Sequence, residues 1–589
     1  MMILSLILVL SPAPIQSEPA QQRAAALAVF ERNIAAIQAK DRDAYLDCYR
    51  SSEQLVRVGP DGFQLGFASL AEGTPATGSD EWPESLVARD IRVTWVRPGV
   101  VYGTYRYRAH FDGVASEGIS GRVFLRGGDG WKIAVTSAFG EDTQSLAPPL
   151  ALVGATVFDG NGGPPIEDAV VILRAGRIEA FGTRGDTPVP DGMDVIDLTG
   201  RFLTPGLVDT HVHYSQTGWA DGRPDASDQR ADYPYAAAMT ANRRNPGIYH
   251  RAFVRSGVTA VFDVGGYPWT RDIGSETERS SDAPHVVAAG PLLATMRPEA
   301  LRLPDQDQLL LMETEEGVRA MVRSHKQQGS EAIKVWFINR RDVFDENAQL
   351  VRAAGDEAQK QGLPLIVHAT ELATAQVAVE AGARLLVHSV EDRPVSKAFL
   401  AAAKAAGTYY CPTLTVRRGY TQLYLRKLDD EVRGQLKHVS ESIRTRILAT
   451  EELEPDRRFP NGAREGLERG LATRFEVMAE NIRRVREAGI PVVMGTDAGN
   501  PLTLHGPSVF PEMEAMARAG MLPLEVLTAS TRDAAQAMGR GDDLGLIEAG
   551  RIADILVLAK DPSKDIHHMR SLTHIMRAGT LHEREWILP

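Results

Sequence analysis

The stretch that decides the fold is "GLVDTHVHY", Gly206–Tyr214, an apolar run that carries two histidines one residue apart. Alternate residues of a strand share a face, so His211 and His213 would project the same way, about 6–7 Å apart along the chain. Alone, the pair reads either as two surface imidazoles or as half of a site that needs two imidazoles aimed at one point.

Seven further apolar runs of strand length follow: "VTAVFDVG", "HVVAAG", "AIKVWFI", "LPLIVHA", "ARLLVHS", "TYYCPTL" and "IPVVMGTD". Each is continuously apolar, as strands buried on both faces should be. Helical stretches such as "ATAQVAVEAG" and "MAENIRRVREAG" lie between them, ending in glycine where a helix C-cap favours it. Eight strand–helix units predict an α/β fold, a TIM (β/α)8 barrel over 204–540. Two long excursions, at about 215–235 and about 414–475, follow the first and seventh strands. Both belong at the mouth where the strands end.

Polar residues stand at those ends. Besides His211 and His213, these are Lys334 in the fourth run, His368 in the fifth, His388 in the sixth and Asp497 in the eighth. All strand ends of a barrel converge on one rim, where polar residues read as catalytic. The two cysteines, Cys48 and Cys411, are far apart, so a metal here must rest on histidine and carboxylate. Four histidines and an aspartate exceed the needs of one tetrahedral ion but suit two that share ligands. A lysine inside a barrel would carry a buried charge, and beside dications its ammonium would be repelled. A carbamate formed from Lys334 and CO2 is anionic and offers two oxygens to bridge metals about 3.5–4 Å apart.

Blander readings exist for each residue. Lys334 could snorkel or sit on an edge strand, although a closed barrel has no edge. His388 could be a satisfied core histidine, and Asp497 could cap a turn. Tyr409, Tyr410, Arg417 and Arg418, near the seventh run, are open between substrate contact and packing or solvation. His285, His325, His567 and His568 fall outside the pattern of strand ends and read as structural or exposed.

Two β-rich pieces, 150–203 and 541–589, flank the barrel and are expected to join into one small β-sandwich. Residues 20–143 read as a separate α+β unit: two helices with a break near Asp41, then an antiparallel meander ending in "GWKIAVTSAF". The polar, proline-containing "EDTQSLAPPL" that follows reads as a linker. The apolar run Met2–Leu10 suits the core of a signal peptide over 1–18 and is too short to span a bilayer. That predicts a periplasmic or secreted protein, or a cytoplasmic one if the run is not a signal. No cysteine follows it to carry a lipid anchor. A net charge of −12 with scattered basic residues disfavours nucleic acid and anionic membranes as partners. A small-molecule substrate and a homo-oligomeric assembly are expected.

The succession His-x-His, Lys, His, His, Asp resembles the amidohydrolase superfamily of metal-dependent hydrolases. "GRFLTPGLVDTHVH", "GVTAVFDVGG", "GTDAG" and "LGLIEAGRIADILVLAKDP" carry the resemblance over about 150–580. It is strongest to the branch with imidazolonepropionase-like, prolidase-like and ochratoxinase-like enzymes. Imidazolonepropionase itself has one metal and no bridging lysine, so Lys334 argues against that activity. The acidic residue usual in this branch before the strand-6 histidine is Val387 here.

The resemblance implies two divalent ions, zinc in the first instance. His211, His213 and Asp497 would hold one, His368 and His388 the other, and N6-carboxylated Lys334 would bridge them. It implies a bridging hydroxide as nucleophile, with Asp497 moving its proton to the leaving amine. The expected reaction is cleavage of an amide C–N bond, in a dipeptide or N-acyl amino acid. Hydrolysis of an ester, lactone or phosphotriester on the same site is the alternative. A binding module with a vestigial metal site is a third reading, against which six intact ligand positions speak. Residues 20–143 resemble the cone-shaped SnoaL-like, nuclear-transport-factor-2-like domains in pattern more than in motif.

Overall fold

The computed structural model describes residues 18–59, 62–79, 81–111, 114–140, 149–278, 280–454, 456, 458–459 and 463–587. The expected leader, apart from Glu18, and most of the expected linker lie outside the described residues. The chain divides into two compact units, 1–145 and 146–589.

In the first unit the helices Glu18–Gln38 and Arg42–Asp47 meet at Asp41, whose carboxylate caps the second by accepting from Ala44 N at 3.0 Å. A six-stranded sheet follows in the order 62–65, 56–59, 130–140, 114–127, 100–111, 85–97. The long strands are antiparallel, whereas Val56–Gly59 adds parallel to Gly130–Gly140. The two short strands and the helix Phe67–Glu72 lie between the predicted helices and meander, in a segment too short to display periodicity.

In the second unit both flanking pieces join, as expected, through one continuously bonded eight-stranded sheet. Phe202–Pro205 causes this: it pairs parallel with Leu150–Val157 and antiparallel with Ile555–Leu558, so the ladder never breaks. The far strand, Arg177–Thr183, turns back on residues 550–553, with Ile178 N donating to Arg551 O at 2.9 Å. The fold-over encloses Leu152, Val171, Leu203, Ile555 and Met576.

Pro205–Gly206 is an extended crossing from this sheet into the first parallel strand, not the turn that a Pro-Gly pair suggests. Gly206 N donates to Asp554 O at 2.9 Å. A Cβ on Gly206 would stand 2.0 Å from Thr259 Oγ1, so the crossing accepts no side chain.

The remaining strands are all parallel. Leu207–Val212, Val258–Asp263 and His285–Ala288 form one ladder. Leu309–Leu311, Leu292–Ala294, Ile333–Trp336, Leu365–His368, Leu385–Val387 and Tyr409–Cys411 form another. The two meet where the chain turns at Gly290, the last residue of the third run, with φ +76°. The run itself pairs with Val258–Asp263, and the strand Leu292–Ala294 just beyond it pairs with Ile333–Trp336. The eighth run makes no ladder of its own but is bonded on both sides. Val493 N donates to Tyr410 O at 3.0 Å, Thr210 N to Met494 O at 3.1 Å and His213 N to Ala498 O at 2.8 Å. Helices cover the outside. Glu315–Gln327, for example, is capped by Thr314 and buries Val318, Val322 and His325 on one stripe. The second excursion is helical, with Val416–Leu425, Asp430–Gln435, Glu441–Leu448 and Ala463–Glu487. No helix among the described residues is long and apolar enough to cross a membrane.

A buried ionic cluster ties the sheet to the start of the third run. His285 Nδ1 lies 2.7 Å from Glu278 and its Nε2 3.3 Å from Asp554. Arg577, fully buried, donates to Ala283 O at 3.0 Å. Burial raises the Glu278 carboxyl, but His285 and Arg540 outweigh it and hold it at about 2 against an ordinary 4.5. A carboxylate depressed on folding stabilises fully above its unfolded value and loses that contribution as pH falls through the folded one. Melting temperature should therefore drop as pH falls from about 4.5 towards 2, and Glu278→Gln should flatten part of that drop. An unchanged profile in the variant would contradict this role for the cluster.

Candidate metal centre

All six side chains singled out at strand ends line one cavity of about 290 Å3. Each is brought there by its strand, and the carboxylates that aim the histidines lie inside the same apolar runs. Asp209, fully buried, accepts from His211 N at 3.2 Å, Thr496 N at 3.0 Å and Thr496 Oγ1 at 2.6 Å, pinning the first strand to the eighth run. Burial pushes its carboxyl up to about 7 against the pull of those bonds. Asp263 accepts from Tyr214 N at 3.1 Å and Gly265 N at 3.0 Å. Gly265 O in turn lies 2.7 Å from His213 Nδ1. A carbonyl can only accept, so Nδ1 carries the proton and Nε2 keeps its lone pair for the cavity. His388 Nδ1 is held 2.7 Å from Thr413 Oγ1.

The lone pairs converge on Asp497. Its Oδ1 lies 3.2 Å from His211 Nε2 and 3.1 Å from His213 Nε2, and its Oδ2 3.9 Å from His388 Nε2. Ring centroids of His368 and His388 are 4.4 Å apart, and those of His211 and His388 4.9 Å. Burial, reinforced by Lys334 and by neighbouring histidines, holds His211, His368 and His388 well below the usual imidazole range. They are therefore neutral, the form that ligates metal. His388, Thr413 and Asp497 have φ of +74°, +44° and +62°. Non-glycine residues held there cost about 1–3 kcal/mol each, and such strain gathers at functional sites.

Lys334 is 2% exposed, and its Nζ has no hydrogen-bond partner. Burial pushes its ammonium down to about 7, against the opposing pull of Asp497, Cys411 and Asp263. Asp497 Oδ1 likewise has no hydrogen-bond donor. The set fits a metal. Bonds of about 2.0–2.1 Å in a tetrahedron put ligand atoms about 3.3 Å apart, close to the spacing of Asp497 Oδ1 from the two Nε2 atoms. His211, His213 and Asp497 also group together as a potential ion-binding triad.

The mouth is built by the excursions. Arg223 pairs with Asp225 at 2.8 Å, lies over the Tyr420 ring and bonds Asn500. Tyr420 also donates to Asn500 Oδ1 at 2.5 Å. Arg417 lines the cavity and pairs with Glu391, which Arg474 also reaches at 3.2 Å. Glu512, fully buried, accepts from Leu414 N at 2.6 Å and Thr415 Oγ1 at 2.8 Å, fixing the loop after the seventh strand. Of the four residues left open near that strand, Arg417 alone lines the cavity. The Tyr410 hydroxyl lies 2.7 Å from Ser389 Oγ, Tyr409 lies under the Arg384 guanidinium, and Arg418 pairs with Asp429 at 2.5 Å. His285 and His325 are buried in hydrogen bonds away from the cavity.

The sequence-based reading missed Asp209 and Asp263, although an acidic residue inside each apolar run was the available sign. Arg223, Tyr420, Asn500 and Glu391 stand on irregular segments or an inserted helix and carry no such sign.

Three known proteins are similar to this chain. Guanine deaminase of Escherichia coli K12 is 27% identical over 146 residues, 22% of this chain but only 30% of that protein's length. Ochratoxinase of Aspergillus niger is 23% identical over 470 residues, covering 72% of this chain and 85% of that one. The crystal structure of a Xaa-Pro dipeptidase with methionine bound in its active site superposes with a TM-score of 0.54 at 20% identity, over 74% of this chain and all of that one. The sequence matches the Amidohydrolase family over residues 202–581, well over half of the 589. With that match added to the convergent strand ends, the chain belongs to the amidohydrolase family and is an amidohydrolase enzyme.

Proposed function

We propose that the chain is a binuclear metal-dependent hydrolase, built on a closed (β/α)8 barrel, that cleaves an amide C–N bond. The observation that carries this reading is the buried, partnerless Lys334 Nζ in the same cavity as four histidines and Asp497. A lysine placed there as plain ammonium would oppose any cation beside it. As the carbamate formed with CO2, it becomes the anionic ligand that two ions need. His211, His213 and Asp497 would hold one ion, His368 and His388 the other, with carboxylated Lys334 between them. When bound, the ions polarise the scissile carbonyl and lower the pKa of water towards neutrality; zinc suits this donor set.

The chain's own groups do the rest. Asp497 Oδ2, the oxygen turned away from the His211–His213 pair, takes the proton of the attacking water and delivers it to the leaving nitrogen. Asp209 and Asp263 fix the strand ends so that the imidazoles keep their aim. Leu292, Leu301, Leu309 and Trp336 give the cavity an apolar wall, and Arg223 and Arg417 give it cations. That combination suits a dipeptide or N-acyl amino acid, with its free carboxylate towards the arginines. The name of the similar Xaa-Pro dipeptidase, a dipeptide-cleaving enzyme, supports the same reading. We further propose that residues 20–143 belong to the SnoaL-like class and that the enzyme works as a homo-oligomer.

Zinc-loaded enzyme screened against dipeptides, N-acyl amino acids, lactones and phosphotriesters should give its highest kcat/KM on an amide. A lactone or phosphotriester that exceeds every amide would replace this reading with ester or phosphoester hydrolysis on the same site.

A further inference from the structure

Of the two arginines that line the metal cavity, one is spent and the other is open. Arg223 uses all three of its nitrogens: Nε and Nη2 donate to the Asp225 carboxylate at 2.9 and 2.8 Å, and Nη1 donates to Asn500 Oδ1. Its charge is answered by Asp225 and its guanidinium lies over Tyr420, so it braces the mouth. Arg417 makes one bond, from Nε to Glu391 Oε2, and its Nη1 and Nη2 donate to none of the described residues. Arg474 Nη1 donates to that same Glu391 oxygen at 3.2 Å. One carboxylate thus faces two guanidiniums, which leaves a positive charge at this edge of the cavity. The Arg417 charge is felt at both His368 and His388. The only carboxylates among the residues lining the cavity are Glu391, shared by the arginines, and Asp497, turned to the histidines. Neither is left to answer an ammonium on a ligand.

The opposite side is apolar. Leu292, Leu301, Leu309, Trp336 and Ile338 come from the third and fourth strand regions, whereas Arg417 follows the seventh. In an eight-stranded barrel the third and seventh strands face each other. Trp336 and Ile338 are half-buried and also line a second cavity of about 540 Å3, together with Pro224, Met296, Pro298 and Ala300. The two carboxylates there are already paired, Asp225 with Arg223 at 2.8 Å and Glu299 with Arg302 at 3.2 Å. A dipeptide bound with its carboxylate at Arg417 brings its ammonium to this apolar side, where a charge without a partner is costly. An uncharged acyl chain instead gains with each methylene it buries.

We propose that the substrate of this site is an N-acyl amino acid with an extended apolar acyl chain: Arg417 takes the carboxylate of the amino acid, and the second cavity takes the end of the chain. This rests on the amide-hydrolase reading above and narrows it. Water adds across the amide C–N bond, its oxygen to the acyl carbon and a proton to the nitrogen, and releases a fatty carboxylate and a free amino acid.

The test is kcat/KM of the zinc-loaded full chain on N-acetyl-, N-octanoyl- and N-dodecanoyl-leucine and on leucyl-leucine. It should rise about tenfold or more from acetyl to dodecanoyl, and leucyl-leucine should fall below N-dodecanoyl-leucine by at least as much. Met296→Glu puts a carboxylate into the second cavity and should bring the dodecanoyl-to-acetyl ratio close to one. Should that variant fail to fold, Ala300→Glu places the same charge in the same cavity. Arg417→Met should raise KM for N-dodecanoyl-leucine about ten- to a hundredfold with kcat changed far less, the value of hydrogen bonds to a charged group. It should also cancel the wild-type preference for N-dodecanoyl-leucine over its carboxamide. No gain with chain length, a gain that survives the glutamate, leucyl-leucine as the better substrate, or a carboxylate preference kept by Arg417→Met overturns the proposal and leaves amide cleavage standing. No turnover of any of these amides is a separate result, which overturns the amide reading and the proposal with it.

Discussion

Asp497→Asn should lower kcat by about 10²–10⁴-fold, the usual worth of a positioned general acid–base. The substitution is nearly isosteric. Asparagine tolerates the left-handed backbone that residue 497 adopts at φ +62°, and the bond from its N to His211 O at 2.7 Å does not involve the side chain. The fold and the imidazoles should therefore stay in place, and most of the metal with them. What is lost is the proton acceptor beside His211, His213 and His388. Turnover measured with metal content in the same preparation separates the two roles. Activity that survives with metal bound would show that another group moves the proton.

Lys334→Ala should lower activity by more than about 10²-fold, beyond the 10–100-fold typical of changing a residue that merely supports a ligand. The variant leaves a hole in the Ile333–Trp336 strand, next to the histidines. A short carboxylate such as propionate can enter that hole and put two oxygens where the carbamate would stand, so added propionate should restore part of the activity. Lys334→Met, which fills the hole with apolar atoms, should lose activity without rescue and keep or raise its melting temperature, since it removes a buried amine with no partner. A lysine that served packing alone would behave in the opposite way: little change in activity and no response to propionate.

These side chains were legible in the sequence because a βα architecture sends every strand end to the same rim. His211, His368 and Asp497 need no contact information to be grouped once the strands are recognised. The rest was hidden for identifiable reasons. Leu292–Ala294 and Leu309–Leu311 are three residues each, too short for any period to register, so the expected third strand ends at Gly290 and the short strand beyond it, which starts the second ladder, went unseen. The bridging of the two flanking pieces by parallel and antiparallel pairing of Phe202–Pro205 is a matter of register that composition does not encode. Arg223, Tyr420 and Asn500 meet through segments far apart in the chain, so their network exists only once the fold has formed.

The central claim is that two ions share a carboxylated lysine. Elemental analysis of the purified, metal-replete chain tests it most directly, with Lys334→Ala measured beside wild type. The account predicts about two divalent ions per wild-type chain and a clear fall in the variant. One ion per chain, unchanged by Lys334→Ala, would contradict it.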